Sequence, residues 1–120
     1  MAELTVEDVF RIHPKIRWAA YATEEAQVLF SKMRPGVKSI SPETEDEAFM
    51  QLGPQVVLGV FERFSPYAGP VSMASGDYEK VFMFVAKVRG GVLALTIDKH
   101  PESELLQTVP TIIKSIRDLG

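Results

Sequence analysis

Cysteine is absent from all 120 residues. That removes a disulfide framework, a thiolate metal site and a cysteine nucleophile at once, and it fits a reducing compartment. Histidine is nearly absent too. His13 and His100 stand alone, and Asp98-Lys99-His100 offers two ligands where a tetrahedral site takes three or four, so no metal and no cofactor is expected. Basic charge is in deficit: 13 Lys and Arg face 16 Asp and Glu for a net charge of −3. The positive footprint that nucleic acid demands is missing. No window approaches the roughly 18 uninterrupted apolar residues of a membrane span, and "MAELTVEDVF" is acidic and amphipathic where a leader would be basic and then apolar. The expectation is an unanchored cytoplasmic protein. Low-complexity and long charge blocks are also lacking, so residues 1–120 are expected to fold as one domain around a single core.

What is present is a sequence of alternating periods. Thr5 can cap a first helix, with Glu7 and Asp8 in its first turn and Val6, Val9 and Phe10 on one stripe, until Pro14 ends it. From Ile16 the period drops to two, and Ile16 to Met33 reads as an antiparallel hairpin turning at "TEEA". After Pro35-Gly36, Ser41 is placed to cap a second helix with Pro42 at its first position and Glu43, Glu45 and Asp46 near its positive end. Gly53-Pro54 should interrupt or kink this helix before it resumes to about Phe64. "SPYAGP" is a loop by composition, "VSMASG" a short strand and "DYEKVFMFVAKV" a long one, apolar on both faces from Val81 to Ala86 as an interior strand would be. "RGG" turns into a fifth strand, "VLALTID", and Pro101 opens a last helix that bends at Pro110 and runs through Leu119. The order is α-β-β-α-β-β-β-α: an α+β fold, with helices layered on the faces of one five-stranded, mostly antiparallel sheet.

The two long helices differ. Leu105, Leu106, Val109, Ile112, Ile113, Ile116 and Leu119 fall within roughly 140° of the last one, the arc of a helix packed on a sheet. In the middle helix, Phe49, Leu52, Val56, Val60 and Phe64 make one stripe, and Met50, Val57, Leu58 and Phe61 widen the apolar arc to roughly 240°. A sheet buries only part of such an arc. Met50, Val57, Leu58 and Phe61 are therefore expected to meet a second copy of the chain or a partner's helix, the alternative being that loops and terminal helices wrap them internally.

This pattern resembles the roadblock (dynein light chain) family. "VEDVFRIHPKIRWAAYATEEAQVLFSKM" is similar to its first helix and hairpin, and "KVRGGVLALTID" to its fourth turn and fifth strand. The family commonly has Asp-x-x-Gly at the first hairpin turn, where this chain has Thr23-Glu24-Glu25-Ala26. Ala26 stands against a left-handed residue at that turn, and the "MRPGVKS" extension together with "LGPQVVLGVFERFSPYAGP" resembles a divergent, archaeal branch. The resemblance implies a homodimer whose middle helices pack together and whose third strands, with Val71 and Met73, can pair. It also implies a non-enzymatic scaffold for small Ras-like GTPases, and no catalytic residue transfers with it.

Ser39, Ser41 and the acids from Glu43 to Glu47 supply residue types for acid-base chemistry without an order that would make a site. "PGVKS" and "RGG" lack the context of a phosphate loop. Lys32, Arg34 and Lys38 around Pro35-Gly36 are a candidate basic contact for a phosphate, a carboxylate or an acidic partner, against the plainer reading of a solvated turn. Trp18, at hairpin spacing with Ile16 and Ala20, reads as core. The second hypothesis is a profilin-like or PAS-like sensor, with a small-molecule cavity lined by Phe49, Phe82 and Phe84.

Overall fold

The computed structural model describes residues 3–120, apart from the side chain of Glu102, so Met1 and Ala2 of the expected 1–120 domain lie outside the described residues. The first helix, α1 (Val6–Phe10), begins with a capping box. Thr5 Oγ1 accepts from the Asp8 N–H at 3.2 Å while Asp8 Oδ2 accepts from the Thr5 N–H at 3.0 Å. That bond from the Thr5 backbone holds the Asp8 carboxyl below the usual carboxylate range. Strands β1 (Ile16–Thr23) and β2 (Val28–Met33) form the hairpin; α2 (Glu43–Glu62) and a four-residue α3 (Ser65–Ala68) follow. Then come β3 (Met73–Asp77), β4 (Val81–Val88), β5 (Gly91–Asp98), a 3₁₀ turn (Glu102–Glu104) and α4 (Leu105–Asp118). The expected order is present. "SPYAGP" is not all loop, because Pro66 sits in the first turn of α3 and fits it. β4 starts at Val81 and not at Asp77: Asp77 belongs to β3, and the Tyr78 N–H donates to the Val81 carbonyl at 3.0 Å across a tight turn.

The sheet runs β2-β1-β5-β4-β3, every neighbouring pair antiparallel. One face, with Ile16, Ala19, Tyr21, Phe84, Leu93, Leu95 and Ile97, packs on α1 and on Ile112 and Ile116 of α4. Leu106, expected on that stripe, is exposed, since the 3₁₀ turn precedes it and α4 meets the sheet through Thr108, Ile112 and Ile116. The other face is built in cross-strand rows. Ser31, Ala20, Ala94, Val85 and Ala74 lie side by side, and beside them run Val28, Ala22, Val92 and Lys87. Alanines at Ala20, Ala22 and Ala94 leave a shallow bed, and α2 lies in it.

Contrary to expectation, α2 is continuous through Gly53-Pro54. Pro54 has no N–H to offer the Met50 carbonyl, and an interior proline costs about 3 kcal/mol. Its ring, however, is buried with Met50 and Leu58 on one i, i+4, i+8 line toward the sheet. Fully burying Met50 and Leu58 contributes about 1.5–3 kcal/mol each, enough to offset that cost. Gly53 helps, because a Cβ there would sit 2.6 Å from the Phe49 ring. Ser41 is not the N-cap: Pro42 is, its carbonyl accepting from Glu45 at 3.0 Å, and Ser41 donates its hydroxyl to Asp46 Oδ1 at 2.6 Å. One residue too early for the free amides, Ser41 satisfies a side chain instead.

Two local features carry the N-terminal half. Ala26 takes the left-handed conformation, φ 67°, which glycine adopts without strain. Arg34 is not a free cation of a basic loop. Its Nε donates to the Ile16 carbonyl at 2.6 Å, its Nη2 to the Phe10 and His13 carbonyls at 2.8 Å, and its guanidinium lies 5.0 Å from the centre of the Phe10 ring. It closes the open end of α1 and ties it to both hairpin strands.

Ala26→Gly should raise the unfolding free energy by about 1 kcal/mol, by releasing left-handed strain of about 1–2 kcal/mol less the added chain entropy. A Lys side chain cannot fork to three carbonyls, so Arg34→Lys should destabilise by about 1–3 kcal/mol. Urea titration followed by far-UV circular dichroism reads both.

Candidate protein-contact face and cavity

With Met50, Pro54 and Leu58 facing the sheet, the opposite side of α2 is left bare. Leu52, Val56 and Val60 form one exposed line there, Val57 and Phe61 are exposed closer to the buried line, and Phe64 and Tyr67 extend the patch onto α3. Val60 is 61% and Phe61 54% exposed. The assignment of contact residues is therefore corrected in part. Met50 and Leu58, expected at an interface, are 1% and 3% exposed core residues under the helix. Val57 and Phe61 are exposed, and Leu52, Val56 and Val60 join them. Near-continuous apolar character around the helix hides its orientation. The signal that could have fixed it is Pro54, whose ring suits a dry face lined by alanine.

Val71 packs on the α2 face, whereas Met73 in β3 packs on the core of the opposite face. β3 is an edge strand. The C-terminal end of α2 is fixed to the sheet by an ion pair between Glu62 and Lys87, and Glu62 also accepts from the Ser65 hydroxyl at 2.5 Å. Lys87 first, then Ser65, hold the Glu62 carboxyl below its ordinary range. Of the proposed basic loop, Lys32 and Lys38 are exposed and Arg34 is engaged as described. His13 accepts from the Lys15 N–H at 3.1 Å, and among the described residues no group of three or more His, Asp or Glu comes together as a metal site would need.

The three phenylalanines do not share a cavity. Phe82 and Phe84 lie on the α1/α4 face with ring centres 5.1 Å apart, and Phe49 is on the α2 face. Strand alternation, not distance along the chain, separates them. A cavity of about 460 Å³ exists elsewhere, between the first turns of α2 and the sheet. Its floor is a third cross-strand row, Met33, Trp18, Thr96 and Met83, and Phe49, Ile40 and the β3–β4 turn wall it. Trp18 is buried core, and its indole N–H donates to Ser31 Oγ at 3.1 Å.

No protein-family model and no curated protein matches the sequence. Solved structures do match its fold. MglB of Myxococcus xanthus superposes with TM-score 0.65 at 14% identity, covering 98% of this chain and 94% of that one. The gliding protein MglB of Thermus thermophilus gives TM-score 0.63 at 14% identity, with 95% and 84% covered. A roadblock/LC7 domain from Streptomyces avermitilis gives 0.59 at 13%, with 93% and 91% covered. The helix order, the antiparallel five-stranded sheet and these superpositions agree that this chain has the roadblock/LC7 fold.

Proposed function

We propose that this chain is a non-enzymatic adaptor that works as a homodimer in the cytoplasm, with α2 as the surface where two copies meet and a small Ras-like GTPase as the class of partner. The observation that carries the reading is the bare apolar patch of Leu52, Val56 and Val60, continued by Phe61 and Phe64, on and just beyond a helix whose Met50, Pro54 and Leu58 line is already buried. A patch of this kind, contiguous along three turns and flanked by Gln51, Gln55 and Arg63, is the composition of a contact surface rather than of a solvated face. A two-fold arrangement buries the same residues on both copies, so each is counted twice. The free edge of β3 supports the same geometry, because strand pairing there would extend the sheet across the dimer. Lys32 and Lys38 remain exposed for an acidic partner surface. The GTPase class rests on the family resemblance. No helix among the described residues is long and apolar enough to cross a membrane.

Light scattering over a wide concentration range tests the interface. The unaltered chain should stay dimeric on dilution. Val60→Glu and Phe61→Glu should each weaken association by at least about tenfold, since each forfeits about 1.5–3 kcal/mol of burial per copy, with folding kept because both positions are exposed in the single chain. A double variant that still dimerises at the lowest concentration would move the interface off α2. Retention of GDP- or GTP-loaded Ras-like proteins on the immobilised chain tests the partner class, and no retention of any of them would remove it.

A further inference from the structure

We infer that the cavity between the first turns of α2 and the sheet is a binding site for a small aromatic amine carrying a polar group at the far end of its ring, a phenolic amine in its simplest form. Such a site is independent of the adaptor reading, since the cavity lies on the sheet side of α2 and the apolar patch on the other.

The cavity arises because α2 covers only part of its face. Met50, Pro54 and Leu58 press on the alanine rows, and the first turns of the helix pass over the row Met33, Trp18, Thr96 and Met83 without filling it. At about 460 Å³ the space is within the range of small-molecule sites. Flat apolar side chains, Trp18 and Phe49, with the polarizable Met33 and Met83, suit an aromatic ring.

One side chain at the floor is out of keeping with its surroundings. Thr96 is 8% exposed, lines the cavity, and makes no side-chain hydrogen bond among the described residues. No buried side-chain oxygen or nitrogen among those residues is both sealed from solvent and unpaired, so the Thr96 hydroxyl keeps an opening, and the cavity it lines supplies one. An apolar ring entering that space without a partner for the hydroxyl would leave it desolvated and unpaired, and valine would have filled the same volume without that cost. A ligand hydroxyl reaching the floor would supply the bond.

The mouth has the opposite chemistry. Glu45 and Glu79 are exposed there, with Asp46 close by, its carboxylate accepting from Ser41. The cations nearby are Lys80, which is exposed, and Arg17, which is committed to Asp98 at 3.7 Å and to the Lys38 carbonyl at 3.0 Å. Acidic groups thus outnumber uncommitted cations around an apolar opening, which favours a ligand whose outer end is an ammonium.

Three probes separate the parts: tyramine, phenethylamine, which lacks the ring hydroxyl, and 3-(4-hydroxyphenyl)propionate, which reverses the end charge. Trp18 is the only tryptophan, so emission excited at the red edge reports the cavity floor directly. Tyramine should shift that emission and raise the melting temperature. It should bind about five- to tenfold more tightly than phenethylamine, the worth of one hydrogen bond, and about tenfold or more tightly than the propionate. Thr96→Val should leave the melting temperature unchanged or higher and make tyramine and phenethylamine equivalent, while Thr96→Ser keeps the preference. Glu45→Gln should narrow the gap between tyramine and the propionate. The inference is overturned if none of the three changes Trp18 emission up to its solubility, if the propionate binds as well as tyramine, or if tyramine's preference survives in Thr96→Val.

Discussion

Close approach of α2 to the sheet is the constraint from which the rest follows. Ala20, Ala22 and Ala94 stand in adjacent cross-strand rows, and only small side chains there let a helix settle near enough to bury Met50, Pro54 and Leu58 together. Burial on that line keeps an interior proline inside a continuous helix. It also fixes the rotation of the helix. Once Met50 and Leu58 point inward, Leu52, Val56 and Val60 have to point outward, because helix geometry allows no independent choice.

Two surfaces with different properties result from one packing decision. On the outer side of α2 lies an apolar patch that stays exposed among the described residues. On the inner side, where the small residues give way to Met33, Trp18 and Met83, the same helix stands over a space it does not fill. Neither is a defect of core packing, which elsewhere is dense: Val9, Ile16, Leu95, Ile97 and Ile112 are fully buried on the opposite face.

Much of this was legible in the sequence, and the misses have physical causes. Period-two alternation placed β1 and β2, the glycines of "RGG" placed the turn into β5, and Thr5 with Asp8 announced the first helix, because these signals are local. The rotation of α2 was hidden because apolar residues nearly encircle it, and Pro54 points to the inward line only once the alanines of strands distant in sequence are known to face it. Pro54 misled for a related reason: its penalty is local, and the burial that offsets it is not. Arg34 read as part of a basic loop, yet the carbonyls of Phe10, His13 and Ile16 that it satisfies lie about twenty residues earlier and come together as a set only after folding. The cavity could not be foreseen from aromatic residues alone. Phe49 and Phe84 sit on opposite sheet faces, and the informative residue, Thr96, looks like any strand threonine until its place at the cavity floor is seen.

The edge strand β3 has a consequence for how two chains can hold together. Spanning Met73–Asp77, it turns the backbone groups of only alternate residues toward solvent, since those between are taken up by β4. A second strand laid along it would gain so few hydrogen bonds that the edge is not adhesive by itself, which protects the monomer from open-ended ribbon growth. A second chain laid along β3 would therefore need a further contact elsewhere to hold the two copies in register.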